Sequence, residues 1–315
     1  MNEYRGKHVP SQPWAVASSA SSSHRARHAV KNKRRRRWVF VILFLCLALI
    51  AWPFFEARFV TVERSSLSSE DLSLDIGHLR IVYLSDIHYG FFFSDSDLNS
   101  LVSQINQLKP DIVLFGGDYA TDNLTAVSFF QKLPSIHARY AILGVIGEND
   151  RGDNDFELSN LCEVMRAAGV TPLVNEVSQV RIGSSSVYVA GLDEPLTGKP
   201  DLKSLSSKVS ASDYVIFMCH NPSVIPDSQL ATDSSGRLGW YDLGLFGHTH
   251  GGQIKLFSFM SGLLDFADDV PERYRSGWLT ENRVDMLVSN GVGTSVMPMR
   301  MLCPPQIHYI DISAN

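Results

Sequence analysis

Cysteine is scarce in this 315-residue chain: Cys46, Cys162, Cys219 and Cys303 are scattered, and no two form a CxxC pair. That excludes both a disulfide framework and a thiolate zinc site. Charge is sparse too, at 19% of residues, and no internal repeat is visible. A hydrophobic content of 44% describes a folded chain with a sizeable core, not a disordered chain, a collagen-like repeat or a polytopic membrane protein. The small net charge of −5 hides a split. Residues 1–37 carry ten Lys/Arg against the single acid Glu3, a charge of +9, which leaves −14 on the remainder.

A long apolar run occurs in one place. Residues 11–23 are Ser-rich without an apolar period and read as a flexible tail. The basic run Lys31 to Arg37 then abuts Trp38 to Phe55, 18 residues without a charge. As a helix this segment reaches about 27 Å, close to the ~30 Å hydrocarbon core of a bilayer. Trp38 and Trp52 lie near its two ends, where indoles favour the interface. A cleaved signal of twin-arginine type (Arg36-Arg37-Trp38-Val39-Phe40) competes with an uncleaved anchor. The run exceeds the usual 7–15 residues of a signal peptide and no clear A-x-A succeeds it, so the anchor is the better reading. The basic cluster then binds anionic lipid head groups rather than nucleic acid. The expected organisation is a basic, Ser-rich flexible tail over 1–37, an anchor over 38–55, a polar connector over 56–79 and one α/β domain over 80–315.

Short β-branched runs recur through that domain: Arg80–Ser85, Asp111–Phe115, Tyr140–Ile146, Ser186–Ala190, Tyr214–Met218, Asp242–Phe246, Met286–Ser289 and Ile307–Ile312. Helical patterns lie between some of them, as over Asp95–Leu108 and Asn154–Ala168. Interleaved strands and helices predict an α/β sheet with continuously buried strands. The residues just beyond the strand ends carry the chemistry. Five of the runs lead into Asp86-Ile87-His88, Gly117-Asp118, Gly147-Glu148-Asn149-Asp150, Cys219-His220-Asn221-Pro222 and Gly247-His248-Thr249-His250-Gly251-Gly252. Ligands of α/β sheets bind beyond the carboxyl ends of strands, so these side chains are expected around one crevice.

A set of Asp, Asn and His donors without sulfur suits manganese, zinc or iron rather than a structural zinc cage. Seven donors are too many for one tetrahedral ion and about right for two ions sharing a carboxylate, which together stabilise attacking and leaving oxygens at phosphorus. A lone D-x-H or Gly-Asp is more often a cap or a turn, but two imidazoles two residues apart at a strand end have few structural uses. The remaining histidines (His8, His24, His28, His78, His137, His308) read as surface or tail residues, and Cys219 as a small buried hydrophobe.

The ordered blocks Asp86-x-His88, Gly117-Asp118, Gly147-Glu148-Asn149-Asp150, His220-Asn221-Pro222 and Gly247-His248-Thr249-His250-Gly251-Gly252-Gln253 resemble the calcineurin-like metallophosphoesterases over about residues 78–312. The resemblance implies a four-layer α/β/β/α sandwich of two sheets flanked by helices. It also implies two divalent ions, manganese first and zinc or iron as alternatives. Asp86, His88 and His250 would hold one ion, Asp118 would bridge, and Asn149, His220 and His248 would hold the other. The family's usual Gly-Asn-His-Asp/Glu block is altered here. Either Glu148 replaces the ligand Asn, or the loop shifts by one so that Asn149 supplies it; the shift changes no ligand charge and is favoured. In both cases the usual histidine is missing. A leaving phosphate needs protonation less than an alkoxide does, so the loss suits a diphosphate substrate, with Arg151 offered as charge stabilisation.

Tyr89-Gly90-Phe91-Phe92-Phe93 beside the first ligands, together with the anchor, points to a lipid-linked substrate, although packing in the core is an equal reading of the three phenylalanines. The chain thus resembles the membrane-anchored UDP-2,3-diacylglucosamine pyrophosphatases of bacterial lipid A synthesis. That likeness implies a UDP-linked glycolipid substrate, membrane lipid as a partner and a place on the inner membrane, facing the cytoplasm. The positive-inside rule instead sends the catalytic domain outside, as for an extracytoplasmic phosphodiesterase or phosphatase. A third reading is a non-catalytic scaffold, disfavoured because all four histidines are kept. A nucleic acid partner is not expected, since a body of −14 repels a polyanion.

Overall fold

The computed structural model describes residues 20–315 apart from residues 91, 211 and 255–269, with side chains described from residue 34 onward. The chain divides into two compact units, residues 1–51 and 52–315. The expected tail over residues 1–19, and Phe91 of the phenylalanine run, lie outside the described residues.

Helix α1 runs from Ala20 to Glu56, so helix already begins where the sequence reads as a flexible tail. Its stretch Arg34–Glu56 is long and apolar enough to cross a membrane, with a mean hydropathy of 2.6 and almost none of it buried in the protein. Pro53 stands in its last turn, where the helix stops three residues later.

The larger unit contains two six-stranded sheets. In spatial order the first is β1 (Thr61–Ser69), β12 (Gln306–Ala314), β2 (His78–Leu84), β3 (Ile112–Phe115), β4 (Ala141–Gly144) and β5 (Thr171–Pro172). The second is β10 (Gly277–Glu281), β11 (Val284–Val288), β9 (Leu243–Phe246), β8 (Tyr214–Met218), β7 (Ser185–Gly191) and β6 (Glu176–Ile182). Strands β2 to β5 are parallel, as are β7, β8, β9 and β11. Helices α2 (Asp95–Leu108), α3 (Asn123–Lys132) and α4 (Asp155–Ala167) connect the parallel strands of the first sheet. Each begins at a polar cap, Ser94, Asp122 or Asn154, whose side chain accepts from amides of the first turn.

Side-chain alternation builds the layers. Along β2, Ile81 and Tyr83 face one way and meet Val187, Ile216 and Leu245 of the second sheet. Val82 and Leu84 face the other way and meet Leu101, Ile105 and Phe129 of the helices. On the far side of the second sheet, Phe217, Phe246 and Val288 pack against Ile225 of α6 (Ile225–Leu230), Leu205 of α5 (Leu202–Ser206), Trp240 and Tyr241. A strand buried on both faces has no polar face to alternate, which is why these runs read as continuously apolar. The expected four-layer α/β/β/α sandwich is the fold. The expected connector differs: residues 61–69 form edge strand β1, paired in parallel with β12. Its sequence, TVERSSLSS, is mostly polar because much of the strand stays exposed, so it lacks the apolar signal of the central strands.

Candidate metal centre

The strand-end loops converge as their order implies. Asp86 and His88 follow β2, Asp118 follows β3, Glu148 and Asn149 follow β4, His220 follows β8, and His248 and His250 follow β9. Asp86, His88, Asp118, His220 and His250 are all buried. They fall into two groups, Asp86 with His88 and His250, and Asp86 with Asp118 and His220, each with its donor atoms within 4.8 Å of one another. Asp86 belongs to both groups. Asp118 also reaches across, since its Oδ2 lies 3.5 Å from Nε2 of both His88 and His220. His88 and His250 face each other through their Nε2 atoms at 2.9 Å.

Backbone strain is concentrated here. Asp86, His88, Asp118, His248 and His250 all have φ between 47° and 69°. Such left-handed conformations cost a non-glycine residue roughly 1–2 kcal/mol each, and they cluster where a site over-determines the backbone. Gly117, at φ +89, is a glycine by necessity: a Cβ there would stand 2.7 Å from the Gly147 nitrogen and 2.9 Å from His220 Nδ1.

Hydrogen bonds hold the donors in place. His220 Nδ1 donates to the Gly116 carbonyl at 2.8 Å, which leaves Nε2 facing the two carboxylates. The His248 amide donates to Asp86 Oδ1 at 2.9 Å, while its ring lies edge-on to His220 with Nδ1 3.8 Å from Glu148 Oε1. Asn149 donates to Asp118 twice, from its amide nitrogen at 3.1 Å and from Nδ2 at 2.6 Å. Glu148 and Asn149 therefore both border the same half of the centre. Asp150 is buried beneath them and accepts from the amides of Tyr119 and Gly147 at 2.8 and 3.0 Å.

The electrostatics call for positive charge. Burial alone would raise the Asp118 carboxyl, but His220 and His88 override it and hold Asp118 well below the usual range. For the Asp150 carboxyl, burial and the Asp118 charge act together and push it up to about 8. Burial would lower His220, yet the Asp118 and Asp86 carboxylates raise it well above an ordinary histidine. His250 moves the other way, lowered by burial, by His88 and by Arg300. Asp86 Oδ2 is buried with no hydrogen-bond partner among the described residues. An orphaned buried carboxylate oxygen beside converging imidazole nitrogens, without sulfur, fits divalent cations.

Two expectations need correction. Arg151 is buried, and its Nε and Nη2 are bound to Asp193 at 3.3 and 3.2 Å. Its guanidinium is thus paired with a carboxylate through two of its three nitrogens. His308 is not a surface residue: it is buried on β12, with Nε2 3.2 Å from Ser289 Oγ, and burial lowers its pKa to about 4. Cys219 is fully buried and burial pushes its thiol up, as a small hydrophobe requires.

Sequence reasoning missed the support behind His250. Arg300, fully buried, donates from Nε to the Gly293 carbonyl (2.9 Å), from Nη1 to Cys303 O (3.2 Å), and from Nη2 to Asn290 O (2.7 Å) and Gly293 O (2.5 Å). The same Nη2 lies 3.3 Å from His250 Nδ1. Behind it, the Glu56 carboxylate accepts from the Cys303 amide at 2.7 Å and from the Trp52 indole at 2.9 Å. The available signal was a lone cation in the apolar stretch Met297 to Pro304.

Residues 79–252, more than half of the chain, match the family described as calcineurin-like phosphoesterase. The chain belongs to that family. Among curated calcineurin-like relatives, the uncharacterized metallophosphoesterase YkuE of Bacillus subtilis is 27% identical, covering 83% of this chain and 88% of its own. Phosphodiesterase YaeI of Escherichia coli is 26% identical over 74% of this chain and 82% of its own. A transmembrane protein with a metallophosphoesterase domain from Danio rerio is 25% identical over 92% and 66%. This calcineurin-like chain is accordingly a metal-dependent phosphoric-ester hydrolase, with two groups of Asp and His that can hold metal and an N-terminal helix able to serve as a membrane anchor.

Proposed function

We propose that this chain is a membrane-tethered, dinuclear phosphohydrolase that cleaves a phosphodiester or diphosphate. The observation that carries the reading is the Asp86/His88/His250 and Asp86/Asp118/His220 pair of donor groups, buried together at the strand ends. Asn149 and His248 complete the second set. Manganese is the first candidate for both positions, with zinc or iron as alternatives. Bound there, divalent ions supply an activated water and charge compensation for the phosphoryl oxygens. The protein's own contribution is orientation. Gly116 O fixes the His220 ring, Arg300 donates to the His250 and Gly293 carbonyls and so holds that loop, and Asn149 ties Asp118 to the β4 loop. An open cleft of about 640 Å³ lined by Thr121, Asp122, Asn123, Glu148, Asn149 and Thr197 leaves room for the rest of a substrate.

The finer reading is hydrolysis of UDP-2,3-diacylglucosamine to UMP and 2,3-diacylglucosamine 1-phosphate, on the cytoplasmic face of a bacterial inner membrane. It rests on the anchor and on the missing histidine, not on the relatives, whose names stop at phosphodiesterase. One observation favours a second reading, an extracytoplasmic phosphodiesterase: the run Arg34–Arg37 precedes the apolar stretch, and positive residues stay inside. Purified full-length protein with Mn²⁺ tests both, offered bis(p-nitrophenyl) phosphate and UDP-2,3-diacylglucosamine, with His250→Ala as control. Release of UMP supports the finer reading. Turnover of the aryl diester alone removes that substrate and leaves the phosphodiesterase. Turnover of neither defeats the hydrolase assignment.

A further inference from the structure

Glu56 is the only acid among the 37 residues of α1, and it is the last of them. Both its place and its surroundings oppose it. The dipole of a helix disfavours negative charge at the carboxyl end, and burial disfavours a carboxylate anywhere, yet Glu56 is only 8% exposed. Its partners account for it. Oε2 accepts from the Trp52 indole at 2.9 Å, one turn back on the same helix, and Oε1 accepts from the Cys303 amide at 2.7 Å, 247 residues away in sequence. A second bond runs beside these, from Arg300 N to the Pro53 carbonyl at 2.9 Å. The last turn of α1 is thus fastened twice to the segment 300–303.

That segment meets the ligands at His250. Cys303 Sγ lies 3.3 Å from the His250 carbonyl and 3.5 Å from that of Gly251, while Arg300 Nη1 donates to the carbonyls of Cys303 and His250 at 3.2 and 3.5 Å. The packing is close: a Cβ on Gly251 would stand 2.8 Å from Cys303 Sγ. His250 needs such a frame, because its φ of 51° is left-handed and persists only where neighbours over-determine it. Asp118 and His220 are held from elsewhere, by Asn149 and by the Gly116 carbonyl. Of the two donor groups, the one completed by His250 is therefore the one that the end of α1 supports.

We propose that Glu56 is a positioning residue of the metal centre: from the end of α1 it clamps Cys303, which holds His250 in the pose that completes the Asp86/His88/His250 position. This deepens the dinuclear reading and rests on it for the ions. A carboxylate suits the task because it accepts from two N–H donors at once, one on the helix and one on the segment behind His250. Processing that removed α1 would take Trp52, Pro53 and Glu56 out of this frame, so metal occupancy at that position depends on keeping the helix.

The test is Mn²⁺ binding to the full-length, detergent-solubilised chain, stripped of metal and titrated while the paramagnetic resonance of free Mn²⁺ is followed. The native chain should take up two ions. Glu56→Ala should weaken one of them about tenfold or more and the other less than about threefold. Glu56→Gln, which keeps an oxygen for the Cys303 amide, should return the weakened ion to within about threefold of its native affinity. In a His250→Ala background the affected position is already lost, so adding Glu56→Ala should leave the remaining ion unchanged. Should Glu56→Ala fail to fold, Trp52→Phe, which removes the indole donor alone, is expected to weaken the same ion about threefold. Equal weakening of both ions, weakening of neither, or a further loss in the His250→Ala background overturns the proposal. Hydrolysis of bis(p-nitrophenyl) phosphate by the native chain separates this failure from that of the hydrolase. Two bound ions without turnover defeat the hydrolase and leave Glu56 in its role, whereas turnover with binding unchanged in Glu56→Ala defeats the role and leaves the hydrolase. Fewer than two ions in the native chain overturn the dinuclear centre and the proposal together.

Discussion

Replacing Arg300 by Met tests whether the buried guanidinium holds the metal centre together. Methionine is of similar length and apolar, so the change removes donors while leaving little cavity. Four main-chain carbonyls, of Gly293, Asn290, Cys303 and His250, lose their Arg300 donor at once. A buried polar group left unsatisfied costs about 1–3 kcal/mol. After local relaxation, and with the His250 carbonyl still bound by Gln253 N, they amount together to about 3–6 kcal/mol, against a total stability of about 5–15 kcal/mol for a domain. Removing a buried charge is often neutral when its partners are removed with it. That relief is closed here, because the partners are backbone carbonyls that no side-chain change deletes. Arg300→Lys keeps the charge but not the planar fork, so it should recover about half of the loss. The assay is denaturant unfolding of the detergent-solubilised chain, paired with metal content by mass spectrometry. Arg300→Met should lower the midpoint strongly and leave about one ion per chain, since the carbonyls of His250, Asn290, Gly293 and Cys303 that Arg300 ties together around His250 are released. An unchanged midpoint and full metal content would refute the reasoning.

Three further outcomes are expected. Gly291 has φ +73, and a Cβ there would stand 2.6 Å from Asp86 Cβ. Gly291→Ala should therefore cost about 2–4 kcal/mol and reduce metal binding, whereas Gly252→Ala, at φ +78 with nothing within 4 Å, should cost only the backbone term of about 1 kcal/mol. Comparing the two unfolding midpoints checks this, and equal losses would sink it. Asn149→Ala is expected to remove one of two bound ions while Glu148→Gln keeps both; the reverse pattern in metal analysis assigns the ligand to Glu148. His308 is held neutral in the fold, its pKa lowered by burial to about 4 from an ordinary 6.5. The unfolded chain binds the proton first, so this stability is fully present above pH 6.5 and is lost as pH falls through 4, by about 3 kcal/mol in all. His308→Gln should flatten that slope in unfolding measured from pH 7 to 4, and an identical slope in both proteins would remove His308 as its source.

The parts of this protein that were legible in its sequence share a physical cause. A parallel strand buried on both faces must be continuously apolar, and the loop beyond its carboxyl end is the one place where that constraint lifts. Asp86, His88, Asp118, His220 and His250 therefore stand out as polar residues against apolar runs, and the fold gathers them because parallel strands all end on one side. Strand β1 escaped notice for the converse reason: it is a mostly polar edge strand, held by the ladder to β12 more than by burial of its side chains. Arg151 and His308 were misread because a single chain shows a residue's type but not its partner, and Asp193 and Ser289 lie far from them in sequence. The same limit hid Glu56 and Arg300, which act across 247 and 50 residues on the Cys303 amide and the His250 carbonyl. Ligands announce themselves locally, because chemistry restricts which side chains can serve. The groups that orient ligands do not, because any donor that the topology brings within hydrogen-bond reach will do. A carboxylate at the end of an apolar helix and a cation in an apolar turn are each improbable where they stand. Each became intelligible only when the fold showed them meeting at the loop behind His250.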